Sequence, residues 1–146
     1  MSINPTMTRE EREAFLAGTH VGIFAVAEPG RGPCAVPVWY RYAPGELVRI
    51  TIGHESRKAS LARVAGRASL CVQQEALPYK YVSVEGPIEF VTEGLESEQR
   101  EMAERYLGPK LGEKYLAANP GLKDELVLLL RPERWWSVDF SRVKLG

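Results

Sequence analysis

The sequence predicts a mainly β (α+β) protein, built as a six- to seven-stranded antiparallel barrel with flanking helices in one domain over residues 1–146. Three observations support this prediction. Short stretches with alternating apolar residues recur along the chain, turns rich in glycine and proline separate them, and a Gly-Pro pair interrupts the longest one. A strand can bend at a Gly-Pro pair, and bends of this kind let a sheet curl and close on itself.

The composition argues against several classes of protein. The formal net charge is zero, so no global field favours nucleic acid or an anionic membrane as a partner. The longest purely apolar run, Leu126–Leu130, is far shorter than a membrane span. The N-terminus lacks the blocks of a signal peptide, so we expect a cytoplasmic protein. Cys34 and Cys71 are expected to be free thiols, and the two isolated histidines indicate no metal site.

The first half of the chain predicts a helix and then three strands. Thr8 and Glu11 have the spacing of a capping box, which opens the helix. Thr19–Ala27 is apolar on both faces, which predicts a strand that is buried on both sides. Cys34–Tyr42 and a strand from Leu47 to Gly53 follow, and the short turns between the three predict an antiparallel meander.

Helix caps and interruptions at glycine and proline mark the remaining helices and strands. A short helix is predicted at about residues 56–65, with Leu61 and Val64 on its buried side. Further strands are predicted at Ala68–Gln74, Tyr79–Val91, Leu126–Leu130 and Arg134–Phe140. The long strand should bend at Gly86-Pro87. Glu96–Ala118 predicts a helical insertion that is broken after Gly108-Pro109 and packs against the barrel.

The start of the second helix is a candidate anion site. Ser56 is a suitable N-cap, and Arg57 and Lys58 follow it, close to the strand face that carries Arg49 and Thr51. A helix N-terminus offers N–H groups and a positive dipole end, so two added cations there suit a phosphate. The alternative is a capped helix whose basic first turn is simply solvated.

Four segments carry a resemblance to a known family. They are Pro37–Tyr40, Arg49–Ile52 with Glu55–Lys58 and Leu61, Tyr81–Glu89, and Pro132–Phe140. In this order and spacing the chain resembles the pyridoxamine-phosphate-oxidase-like family, the split β-barrel flavin and deazaflavin proteins. The resemblance implies a split β-barrel of the FMN-binding type. It also implies a homodimer with two cofactor sites at the subunit interface, each taking a small-molecule substrate.

The resemblance also assigns cofactor-binding residues. The flavin-like ring would lie beside Pro37, Val38, Trp39 and Tyr40. The ribityl chain would pass Thr51 and Gly53, and the phosphate would bind Ser56, Arg57 and Lys58. Trp135 and Trp136 fall on opposite faces of the last strand; one should pack in the core, and Trp136 is the candidate for reaching the cofactor or the dimer interface.

The chain departs from the vitamin-salvage oxidases, because it lacks their arginine-rich substrate clamp in the expected form. Pro37–Tyr40 and the closing Trp136–Phe140 with Lys144–Gly146 are more similar to the actinobacterial deazaflavin-dependent branch. The sequence therefore predicts an oxidoreductase that uses reduced coenzyme F-420, a deazaflavin, to transfer hydride to a small conjugated acceptor. An FMN-dependent enzyme, a non-catalytic cofactor-binding protein and a structural dimer with a decayed pocket are the alternatives. No catalytic residue is assigned, since the cofactor carries this chemistry.

Overall fold

A computed structural model describes residues 4–143, apart from the side chains of residues 123 and 124. The closing Lys144–Gly146, which entered the resemblance, lie outside the described residues. The helices are α1 (Arg9–Ala17), α2 (Arg57–Ala65) and α3 (Leu95–Ala118). The strands are β1 (Gly22–Val26), β2 (Cys34–Val38), β3 (Tyr40–Arg41), β4 (Val48–Gly53), β5 (Arg67–Gln74), β6 (Lys80–Val91), β7 (Glu125–Leu130) and β8 (Arg134–Asp139). Two 3₁₀ turns span Pro120–Asp124 and Phe140–Arg142.

The strands pair in the order β2-β1-β5-β6-β7-β4-β3, and β8 adds to β6. Every pairing is antiparallel. The predicted second strand is divided at Trp39: β2 pairs with β1, whereas β3 pairs with β4. β2 and β3, the two strands at the ends of this order, are therefore neighbours along the chain. Their connection closes the curled sheet.

The bend predicted at Gly86-Pro87 is confirmed. β6 pairs with β8 up to Glu85 and with β7 from Ile88 onward. A Cβ atom on Gly86 would lie only 1.7 Å from the carbonyl oxygen of Arg131, so the strand accepts no side chain at this position. The glycine thus allows one long strand to serve both halves of the barrel.

The core fills the interior of the sheet and is closed by the short helices. Phe24, Ile50, Leu70 and Leu128 are fully buried there. The predicted capping box of Thr8 with Glu11 at the start of α1 is present, and Ser56 caps α2 through the backbone N–H of Ala59. Both cysteines are free and half-buried.

Two predictions about burial are wrong. β1 is not covered on both sides, because Val21 and Ile23 are 54% and 42% exposed on the outer face of the sheet. Helix α2 packs through Ala59 and Ala62, and the predicted Leu61 is half-buried against the core, but Val64 is 79% exposed. The small alanines let the helix approach the sheet closely, and this turns the larger side chain outward.

Helix α3 is interrupted, as predicted, at Gly108, which has a φ of 82° immediately before Pro109. The half before the break is fixed to the sheet by Glu98, whose carboxylate accepts hydrogen bonds from Arg41 and Arg49. Burial alone would raise the pKa of Glu98, but the hydrogen bonds and charges of these two arginines outweigh it and lower the pKa. An ionised glutamate therefore holds α3 against β3 and β4.

Candidate functional site

A cavity of about 340 Å³ lies between helix α3 and the strands β2 and β4. Its apolar and aromatic lining consists of Val21, Pro37, Val38, Trp39, Met102, Ala103, Tyr115, Leu116 and Leu122. Four polar side chains complete the wall, namely Thr51, Lys58, Gln99 and Glu125. A hollow of this size, lined by apolar and aromatic side chains with a few polar groups among them, has the character of a small-molecule site.

Trp39 forms the rigid part of the wall. Its ring stacks on Tyr106 with centroids 4.9 Å apart and an interplanar angle of 5°. Tyr115, beyond the helix break, meets the same ring at 5.5 Å with a tilt of 50°. The Tyr106 hydroxyl accepts a hydrogen bond from the Tyr40 backbone N–H at 3.0 Å and donates to the His20 carbonyl at 2.6 Å. Both halves of α3 thus hold the indole in place.

The polar part of the cavity wall combines a cation, a hydroxyl and a carboxyl group. Thr51 projects from β4 and Lys58 from the first turn of α2. Glu125 begins β7, directly opposite Gly53 in the ladder. Burial raises the pKa of Glu125, and the charge of Lys58 opposes this shift. A lysine beside the N-terminus of a helix favours an anion, whereas an ionised Glu125 would oppose one.

Five of the predicted residues meet at this cavity: Pro37, Val38, Trp39, Thr51 and Lys58. Tyr40 does not line it. Its side chain is fully buried in the core, and its hydroxyl donates a hydrogen bond to the Leu16 carbonyl at 2.7 Å. Burial also raises the pKa of this phenol. Trp39 lies in the break between β2 and β3, and Tyr40 begins β3 with its side chain in the core.

The other predicted residues lie elsewhere. Arg57 is exposed and forms an ion pair with Glu28. The Ser56 hydroxyl is engaged in its cap, accepting from Ala59 and donating to the Gly53 carbonyl at 2.7 Å. Gly53 lines a second hollow together with His54, Glu55 and Glu125. Trp136 is 51% exposed on the outer face of β8.

Gln99 and Glu125 were missed by the sequence analysis. Glu125 directly precedes the apolar run that predicted β7, so it could have been identified as the polar end of a buried strand. Gln99 is surrounded in sequence by charged residues and gives no comparable signal. Only the packing of α3 on the sheet shows that it is buried.

The model of the family described as pyridoxamine 5'-phosphate oxidase matches residues 8–139. The chain belongs to this family. No curated protein sequence matches the chain significantly. Among solved structures, the conserved hypothetical protein Rv2991 from Mycobacterium tuberculosis is 23% identical, with a TM-score of 0.76 over 99% of this chain and 91% of that one.

Two further structures share the architecture. An F420 reductase is 21% identical over 85% of this chain and 94% of its own, with a TM-score of 0.70. A FAD-binding protein from Mesorhizobium loti is 23% identical over 94% and 96% of the two chains, with a TM-score of 0.67. At these identities the likeness shows the fold, which is the split barrel of the pyridoxamine 5'-phosphate oxidase family.

In the part of the chain that the structure describes, no helix combines the length and the apolar character that a membrane crossing needs.

Proposed function

We propose that the protein is an oxidoreductase that binds a flavin-type ring in the cavity beside Trp39 and uses reduced coenzyme F-420 to reduce a small conjugated acceptor. The observation that carries the proposal is the cavity itself, in which an apolar, aromatic wall on β2 is combined with Lys58 and Thr51. The apolar, aromatic wall suits a tricyclic ring, and the lysine and threonine suit a phosphate. The F420 reductase of the same fold supports the choice of coenzyme.

The residues present fit such a group. Pro37, Val38 and Trp39 would contact the ring, and the stack of Trp39 on Tyr106 keeps that wall in one orientation. Thr51 and Lys58 would bind the phosphate, at the N-terminal end of α2. When bound, the ring supplies the hydride chemistry.

Helix α3 has a separate role, which is to keep water from the reacting groups. Met102 and Ala103 are almost fully buried and line the cavity from the helix side, together with Tyr115. Removing water strengthens the electrostatic interactions inside a site and prevents side reactions of a reduced ring. The ion pairs of Glu98 hold this wall of the cavity to the sheet.

We further propose that two copies associate through the outer face of the sheet. Cross-strand pairing places a row of side chains side by side on that face, in the order Pro37, Ile23, Cys71, Ser83 and Trp136. Pro37 also lines the cavity, so the row is continuous with the cavity mouth. Association through this row would cover Ile23 and bring Trp136 of one subunit towards the cavity of the other.

The first experiment is a fluorescence titration of the purified protein with coenzyme F-420 and with FMN, followed by turnover of the reduced coenzyme with quinones, enones and nitro compounds. We expect micromolar or tighter binding of F-420 and consumption of the reduced coenzyme with at least one acceptor. Tighter binding of FMN would support the flavin-dependent alternative, and tight binding without turnover would support a carrier protein. Absence of binding by both would contradict the proposal.

The second experiment is sedimentation of the Ile23→Lys variant, which we expect to shift a dimer towards monomer because it places a charge in the row. Val64→Lys is the matched control, since Val64 is an exposed aliphatic residue on α2. A wild-type protein that sediments as a monomer would contradict the proposed association.

A further inference from the structure

We propose that Gln99 donates a hydrogen bond to a carbonyl oxygen of the ring bound in the cavity; this inference rests on the proposed function. Gln99 is only 8% exposed and lines the cavity. Among the described residues, no acceptor pairs with its Nε2 atom, which is itself buried. In this orientation the amide nitrogen loses its hydrogen bonds to water and gains none from the protein.

The helical spacing makes this glutamine unusual. Gln99, Met102 and Ala103 are three and four residues apart, so they share one face of α3, and all three line the cavity. The other two are apolar and almost fully buried. A position on this face would be expected to hold an apolar residue as well.

The other buried, unpaired nitrogens in the described part of the chain differ from this amide. They are Nε atoms of arginines, and in Arg41, Arg49 and Arg105 a terminal nitrogen of the same guanidinium has a partner. The neighbouring Glu98 is bonded through both oxygens. These bonds fix the turn of helix that carries Gln99, so its side chain stays at the cavity wall.

The chemistry of the amide defines what it can bind. An N–H₂ group needs an acceptor, and the pyrimidine part of a flavin or deazaflavin ring carries carbonyl oxygens that serve as one. The last side-chain torsion of glutamine is broad and roughly two-fold, so the amide can turn its nitrogen towards the cavity without leaving its rotamer. The side chain also borders a neighbouring hollow at Asn119 and Pro120, where no ligand is proposed.

The test is a pair of measurements on Gln99→Leu, namely the melting temperature without ligand and the affinity for F-420 and FMN. Because leucine fills the same buried space without a polar nitrogen that needs a partner, we expect Tm to stay the same or rise by up to about 3 °C, while affinity falls by about 5- to 20-fold. Gln99→Glu keeps the shape but has no N–H group when ionised, and it should lose at least as much affinity. Gln73→Leu, the same change at an exposed glutamine, should alter neither quantity.

A glutamine that serves only the fold would give the opposite result, with Tm lowered and affinity unchanged, and this would overturn the inference. Affinity of Gln99→Glu that stays at the wild-type level as pH is raised would also overturn it, because an ionised carboxylate cannot donate. If wild type binds a ring and Gln99→Leu binds it equally well, the inference fails and the proposed function stands. If wild type binds neither F-420 nor FMN, the proposed function fails and the inference fails with it.

Discussion

Arg57 at the start of α2 forms an ion pair with Glu28, on the segment that follows β1, although its sequence neighbour Lys58 lines the cavity. The hydrogen bond from Arg57 is the main cause that lowers the pKa of Glu28. The two cations that the sequence presents as a pair therefore have different roles. Arg57 connects α2 to the turn between β1 and β2, and Lys58 is the cation available to a ligand.

This separation predicts different effects of the same substitution. Lys58→Met should weaken FMN binding by about 10-fold, because it removes a charged hydrogen bond to the phosphate. Arg57→Met should change the affinity less than about two-fold, since an exposed ion pair away from the ligand contributes little. Fluorescence titration measures both, and riboflavin, which lacks the phosphate, is the control ligand. Equal losses for riboflavin and FMN in Lys58→Met would contradict a phosphate contact.

Glu98→Gln should lower the free energy of unfolding at neutral pH by about 1–3 kcal/mol, because Arg41 and Arg49 lose their shared anion. The lowered pKa of Glu98 means that this stabilisation is present above its ordinary pKa and is lost as pH falls through the folded-state value. Urea denaturation at several pH values measures both effects. Glu101→Gln is the control: its carboxylate also pairs with Arg41 but is half-exposed, so its loss should stay below about 1 kcal/mol.

Tyr106→Phe keeps the ring that stacks on Trp39 but removes the hydroxyl between the backbones of Tyr40 and His20. We expect the free energy of unfolding to fall by about 1–3 kcal/mol, because buried backbone groups lose their partner. Chemical denaturation checks this value, and Tyr79→Phe at an exposed position should have almost no effect. Equal stability of the Tyr106→Phe variant and wild type would show that the hydroxyl does not join these segments.

Gly86→Ala should destabilise the protein by more than about 4 kcal/mol or prevent folding, because the added Cβ collides with the backbone at Arg131. Gly32→Ala is the matched control, since a Cβ there meets no atom within 4 Å. Circular dichroism and thermal melting distinguish the two. If the Gly86→Ala variant melts at the wild-type temperature, the loop after β7 can move away from β6.

Glu125→Gln tests the carboxyl group in the cavity wall. Burial raises its pKa, so the folded state binds this proton more tightly than the unfolded state does. The contribution of Glu125 to the stability of wild type should therefore fall as pH rises from the ordinary pKa through the folded-state value, and the glutamine variant should lack this contribution. Denaturation midpoints at several pH values between about 4 and 8, a range that covers the titration of glutamates in proteins, measure the difference in stability between the two proteins. A parallel pH dependence in both proteins would contradict the prediction.

Local sequence signals were enough to locate most of the fold. Ser56 caps a helix because its hydroxyl reaches the N–H three residues on, and Gly108-Pro109 breaks one because the proline cannot continue the ladder. Gly86 marks the bend for an equally local reason, its missing side chain. Each of these features depends on residues that are close together in sequence.

The site was predictable only in part, because its missing residues depend on contacts between distant segments. The partner of Arg57 is 29 residues away in sequence. Gln99 faces the cavity only because Glu98 is paired with arginines on two strands. The resemblance placed Pro37 to Tyr40 together beside the ring, but the chain breaks at Trp39, between β2 and β3, and Tyr40 then lies in the core.

The segment from β2 through Trp39 to β3 has a consequence for how this protein can be altered. Because the same residues close the barrel and form a wall of the cavity, a substitution there changes the architecture and the ligand contacts together. Helix α3 is inserted between β6 and β7 and takes no part in strand pairing, yet it supplies the opposite wall. Divergence of ligand preference, in nature or by engineering, is therefore expected to be concentrated in this insertion, with the β2–β3 segment held nearly constant.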